Sequence, residues 1–232
     1  MKYLIKLSGE ALGVDGKLFD VSKFDAMARC IKTITDDGSR AAVVLGGGNL
    51  WRGRTGVMSN VDAVTADQIG MVGTLMNALM MKDSLDRSGA KAVVMCAFDA
   101  PRFAEPYTQR GALQAWDEGK IIVFAGGTGH PFFSTDTGAA LRAIELRVDS
   151  ILLARNVDGV YDKDPAKHSD AKFLPEVSYD DAIRSNLGIM DMTALVMLRD
   201  NMIKQVRVFA LNERDSLLRA AKGDEIGSIM HL

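Results

Sequence analysis

Histidine, cysteine and aromatic residues are scarce in this chain. Three histidines, His130, His168 and His231, are scattered over 232 residues. A histidine metal site or a histidine-based nucleophilic triad therefore fits poorly. The two cysteines, Cys30 and Cys96, sit in apolar stretches without metal-ligand spacing. They predict free thiols and a reducing, cytoplasmic setting. No apolar run reaches the roughly 18 residues that would span a membrane, and no cleavage site follows the short apolar start at Met1–Leu12. Neither sign of charge dominates: 28 basic against 30 acidic residues give a formal net charge of −2. Without a long basic block, nucleic acid and anionic membrane are not expected partners. Familiar motifs are missing as well. The chain has no GxxxxGK[ST] loop, no GxGxxG after its first strand, no protein-kinase catalytic loop and no GxSxG elbow.

Glycine is plentiful, with 22 residues, and it is clustered. The densest cluster is Ala125–Thr137, AGGTGHPFFSTDT. It follows the apolar run Ile121–Phe124 and precedes an apolar-periodic run, Ala139–Val148. A strand, a glycine turn and a helix are the natural reading. Ser134 or Thr135 can cap that helix, whose free N–H groups and positive dipole end suit a phosphate. An ordinary glycine-rich turn is the alternative for this loop taken alone.

Two further turns share its character. Tyr3–Leu7 is a strand candidate ending in Ser8-Gly9, and Ala41–Leu45 is another that runs into Gly46-Gly47-Gly48. Strands are also expected at Ala92–Cys96, Lys120–Ala125, Ser150–Ala154, Val206–Ala210 and Gly227–Met230. Helical periodicity marks Val21–Asp37, with Ser22 as its cap and Gly38 as its stop, and a long run over Val61–Arg87. Helices are further expected at Pro106–Glu118, 136–147, Tyr179–Ser185, Thr193–Met202 and Ser216–Ala221. The polar stretch Arg155–Val177 reads as a long loop, of the kind that is usually functional. Short apolar strands alternating with helices predict a parallel sheet covered on both faces. Ligands of such sheets lie beyond the carboxyl ends of the strands, so the three glycine turns should line one crevice.

Individual residues stay open between two readings. Lys6 interrupts an apolar strand, as an edge gatekeeper or as a phosphate ligand. The Gly46–Gly48 amides can cradle an anion, and Arg52 beside them can grip phosphate bidentately. Trp51 suits a core or a lid equally. Asp67 reads as a solvated helical residue, with a ribose hydroxyl as its functional alternative. Asp136 either complements the helix dipole or orients Lys6. In Asn156–Asp164, Asn156 and Tyr161 either contact a base or belong to a surface loop. Met71, Met76, Met80 and Met81 give the long helix a broad apolar surface, part of which suits a second subunit.

Taken together, KLSGEAL (Lys6–Leu12), GGGNLWRG (Gly46–Gly53), ADQIGM (Ala66–Met71), GGTGHPFFSTDTGAALRAIEL (Gly126–Leu146) and NVDGVYDKDP (Asn156–Pro165) resemble the bacterial-type UMP kinases of the amino acid kinase superfamily. The match runs in order along essentially the whole chain, and the PFFSTD segment is particular to uridylate kinases. The resemblance implies an α/β fold, a three-layer αβα sandwich with a mainly parallel central sheet, as one domain over 1–232. Residues 1–149 would form its UMP- and phosphate-binding part and 150–232 its ATP-binding part. It implies Mg²⁺-dependent transfer from ATP to UMP, with the metal held through nucleotide phosphates and without direct protein ligands. A homohexamer built as a trimer of dimers is expected, with GTP and UTP as candidate effectors. Lys6, Asp136 and Arg52 would be catalytic. Lys6, Leu7, Ser8, Gly9, Gly48, Arg52, Asn156, Tyr161 and Asp164 would bind ATP. Gly47, Asp67, Thr128, Gly129, His130, Pro131, Phe132, Phe133, Ser134 and Thr135 would bind UMP. An effector would lie near Ala97–Gly119 and the end of the long helix, where Lys82, Asp86 and Arg87 stand. An acetylglutamate or aspartate kinase is the nearest alternative, and a nucleotide-binding protein without turnover a more distant one. The PFFSTD loop argues against the first, and Lys6 together with Asp136 against the second.

Overall fold

A computed structural model describes residues 1–13, 18–51, 60–211 and 215–232, without the side chains of Glu10 and Ala11. Arg52 and the rest of 52–59 lie outside the described residues. Strands β1 (Lys2–Leu7), β2 (Arg40–Leu45), β3 (Ala92–Cys96), β5 (Ile121–Ala125), β6 (Ser150–Arg155) and β10 (Gln205–Ala210) are apolar along almost their whole length. That composition suits strands buried on both faces of a parallel sheet. With β4 (Glu105–Pro106), β9 (Glu176–Ser178) and β11 (Ser228–His231) they form a nine-stranded sheet in the order β4-β3-β5-β2-β1-β6-β10-β11-β9. Every neighbouring pair is parallel except β10 with β11.

Helices cover both faces. Helices α1 (Val21–Asp36), α2 (Ala63–Arg87) and α7 (Ser216–Lys222) bury Phe24, Ile31, Ala78, Leu85 and Leu217 against Ile5, Leu7, Val43 and Leu152. Helices α3 (Gln109–Asp117), α4 (Thr135–Leu146), α5 (Tyr179–Arg184) and α6 (Met192–Asp200) pack on the other face. There Ala139, Ala140, Ala143 and Leu195 meet Leu4, Val44, Ile122 and Leu153. Small residues on α4 let it lie close to the sheet. Arg142 on the same helix is buried, with its guanidinium carbon 3.7 Å from the centre of the Tyr107 ring. Burial and a hydrogen bond to Glu145 push the Tyr107 hydroxyl pKa up to about 12.

Several boundaries differ from the sequence reading, each for a local reason. Asp20, not Ser22, caps α1, because its carboxylate accepts the Ser22 N–H at 3.0 Å. Thr108 caps α3, so Pro106 falls outside the helix and into β4, which pairs with β3. Asp191 caps α6, which begins at Met192. The polar stretch after Arg155 is not all loop: β7 (Val160–Tyr161) and β8 (Phe173–Leu174) form a small antiparallel ribbon, and β9 joins the main sheet through β11. On α2, Met81 is buried while Ile69, Val72 and Met76 are exposed.

Candidate active site

The register of the central strands builds the site. Leu7 pairs with Leu45 on one side and Ala154 on the other, and Val44 pairs with Phe124. The carboxyl ends of β5, β2, β1 and β6 are therefore level. The turns that follow them stand side by side in that order: Gly126–Gly129, Gly46–Gly48, Ser8-Gly9 and Arg155-Asn156. The packing between turns is close enough to require glycine. A Cβ on Gly9 would lie 2.4 Å from the Gly46 carbonyl oxygen, and one on Gly47 would lie 2.8 Å from that of Gly70. Gly126, Gly127 and Gly129 all have positive φ, a backbone that side chains disfavour.

Strand alternation decides where Lys6 points. Tyr3, Ile5 and Leu7 face the α1–α2 layer and Leu4 faces the other, so Lys6 lies on the Leu4 face, toward α4. The N-terminus of α4 meets it there. Ser134 caps this helix and accepts the Asp136 and Thr137 N–H groups at 3.0 and 3.1 Å. Asp136, in the first turn, then sits 2.8 Å from the Lys6 ammonium through Oδ1 and 3.1 Å from Arg155 through Oδ2. Lys6 is only 6% exposed and Asp136 9%. The Lys6 ammonium faces Oδ1, and the Arg155 guanidinium donates to Oδ2. Burial alone would raise the Asp136 pKa, but Lys6 and Arg155 outweigh it and hold the carboxyl below the usual aspartate range. By formal charge, two cations share one carboxylate, which leaves the trio at +1.

Two cavities flank this trio. The larger, about 500 Å³, is lined by Ser8, Arg155, Asn156, Tyr161 and Asp164, and by residues 186–189 before α6. The smaller, about 200 Å³, is lined by Gly47, Gly48, Asp67, Thr128, His130, Phe133, Ser134 and Thr135. Trp51 is in its wall beside Gly70. Gly48, expected with ATP, thus faces the smaller cavity. Lys6 and Leu7 lie in β1 beneath the turns, Gly9 is in the turn that follows, and Gly129, Pro131 and Phe132 belong to the loop around the smaller cavity. Phe132 and Phe133 are 62% and 52% exposed. Asp67 accepts the Phe132 N–H at 2.6 Å. Lys82 and Arg87, at the far end of α2, pair with Asp86 and with Asp25 and Asp83.

Sequence reasoning missed Arg155 and Asp191. A lone arginine at the end of a strand gives no signal until the strand is placed beside β1. Asp191 accepts hydrogen bonds from the hydroxyls of Ser134 and Thr137 and from the Ala194 N–H. Its tie to α4 spans more than fifty positions, which no local pattern reveals.

A parallel sheet whose level strand ends carry glycine turns, a capped helix N-terminus and a surplus of positive charge defines a phosphate-handling αβα protein. Known proteins make this specific. The model of the amino acid kinase family matches residues 1–209. A UMP kinase from Bacillus anthracis is 36% identical with a TM-score of 0.94, covering 99% of this chain and 95% of its own. A UMP kinase from Ureaplasma parvum is 30% identical with a TM-score of 0.93, covering 100% and 98%. A uridylate kinase from Archaeoglobus fulgidus, 22% identical with a TM-score of 0.77 and covering 99% and 100%, shares the fold. The chain belongs to the amino acid kinase family and, within it, to the bacterial-type UMP kinases.

Proposed function

We propose that the protein transfers the γ-phosphoryl group of ATP to UMP, giving UDP and ADP. The observation that carries this reading is the Lys6–Asp136–Arg155 trio between two cavities. Arg155 lines the larger one, and Ser134 and Thr135, which line the smaller, immediately precede Asp136 in the chain. ATP would take the larger cavity, with Asn156 and Tyr161 at its base and Ser8 and Gly9 near its phosphates. UMP would take the smaller, with Asp67 at its ribose and Thr128–Thr135 around the base and phosphate. A UMP phosphate oxygen would attack the γ-phosphorus in line. The bond to the β–γ bridging oxygen would break, and ADP would leave with that electron pair. Such transfer depends on positioning and charge stabilisation more than on covalent chemistry. Lys6 and Arg155 would balance charge spreading over the transferring group, and Asp136 would keep both cations in place.

Mg²⁺ carried on ATP would neutralise phosphate charge. Among the described residues, no three His, Cys, Asp or Glu side chains form a ligand cluster. Both Asp136 oxygens already face cations. This donor set fits an ion held through phosphates and water. The exposed row Ile69, Val72 and Met76 on α2 supports self-association through that helix, and the family resemblance extends this to a hexamer. The free thiols Cys30 and Cys96 suit a reducing cytoplasm.

The test is ADP release with Mg·ATP against UMP, CMP, dUMP, acetylglutamate and aspartate. Turnover with UMP alone is expected. Turnover with an amino acid instead would overturn the reading of the 128–135 loop. No turnover with any of them would overturn the enzymatic reading.

A further inference from the structure

Helix α2 meets the site along a single stripe. Asp67, Gly70, Thr74 and Asn77 follow one another at helical spacing, and each touches a different part of the crevice. Asp67 takes the Phe132 N–H, and the Gly70 carbonyl closes on Gly47. Thr74 accepts the Gly126 N–H at 2.8 Å while its own hydroxyl donates to the Met71 carbonyl at 2.6 Å. Asn77, fully buried, donates to the Gly46 carbonyl at 2.7 Å and to Asn49 Oδ1 at 2.7 Å. Asn49 donates back to Asn77 Oδ1 at 3.1 Å and to the Leu18 carbonyl at 2.7 Å.

These bonds have a common geometry. The turn after β5 and the turn after β2 are rich in glycine, so few side chains of their own can anchor them, and glycine backbone is the most easily displaced. Thr74 grips the first residue of one turn and Asn77 the first residue of the other. The two grips are three residues apart on one rigid helix. We infer that Thr74 and Asn77 are positioning residues that set the spacing between the two turns, and through it the place of the acceptor phosphate relative to Lys6. The inference rests on the UMP-phosphorylating reading of the site. Thr74 lines the smaller cavity, and neither residue lies in the wall of the larger. Their loss should therefore act on the alignment of the reacting groups and leave ATP affinity alone.

Thr74→Val keeps the shape and removes the hydroxyl, while Thr74→Ser keeps the hydroxyl. The valine variant is expected to lose about 10- to 100-fold in kcat, the penalty of a misplacement near 1 Å. Its KM for Mg·ATP should stay within about twofold, a split that separates alignment from binding. The serine variant should recover to within about threefold of the parent. Asn49→Ala, at a partly exposed residue, breaks the reciprocal amide pair and carries the test if the valine variant does not fold. Its kcat should fall with KM for Mg·ATP again preserved. If variants that melt cooperatively keep the parent kcat, or lose kcat only along with ATP affinity, the inference is overturned. If the parent itself does not phosphorylate UMP, the functional reading beneath it is what fails.

Discussion

A buried carboxylate between two cations is a concentrated electrostatic arrangement, and its consequences begin with single residues. Lys6→Ala should lower kcat by about 10²- to 10³-fold, the usual cost of removing one preorganised charge donor. Asp67→Ala should instead raise KM for UMP about tenfold or more with a smaller change in kcat, the mark of lost ground-state binding. Steady-state kinetics on both variants separate the two roles. Asp136 has a pH signature. Its folded-state pKa lies below the unfolded value, so the unfolded chain takes up the proton first as pH falls. The stability it contributes is present above the unfolded pKa of about 3.9, and it drains away as pH drops through the folded value. Asp136→Asn should flatten that acid limb in a plot of melting temperature against pH. At neutral pH it should also cost about 3–5 kcal/mol, because Lys6 stays buried without its partner. From their neighbours in the sequence, Lys6 and Asp136 stayed open between a structural and a functional role, and the structure brings the two together. Arg155 gave no sign at all, because its significance depends on β6 lying next to β1.

At the scale of elements, the site is a set of turns held by helices. Gly9→Ala would place a methyl group where the Gly46 carbonyl oxygen and the Gly48 amide already stand, at 2.4 and 2.7 Å. The Ser8-Gly9 turn and the Gly46–Gly48 turn should then separate. Both KM values should rise, measured by varying each nucleotide in turn, while strands β1 and β2 still form. The sequence marked most elements because long apolar strands and periodic helices declare themselves locally. It did not mark β4, β7, β8 or β9. These strands are only two or three residues long, too short for a periodic pattern to show. They exist only because a partner backbone is present, which is a tertiary fact. The cap of α1 was misread for a related reason: Asp20 and Ser22 are both good capping residues, and Ser22 Oγ donates to Asp20 at 2.5 Å, so the pair acts together. The cap of α4 was legible because Ser134 and Thr135 directly precede the helix expected at 136–147.

For the whole molecule, one face of α2 sets the site and the opposite face leaves apolar side chains in solvent. Ile69, Val72 and Met76 are 39%, 50% and 45% exposed. Replacing Val72 and Met76 together by lysine should reduce the assembled mass seen by size-exclusion chromatography with light scattering, at little cost to the fold of each subunit. The sheet order has another outcome, which concerns how the chain is made. β1 precedes every other strand of this sheet along the chain, yet it lies in the interior of the sheet. One of its neighbours, β2, follows soon after, but the other, β6, starts at Ser150. The carboxylate that balances Lys6 is at position 136. A nascent chain therefore carries a lysine destined for burial long before it carries the means to bury it. Closing that distant pairing is slow by the physics of loop closure, so the lysine strand can lock only after α4 and β6 have emerged.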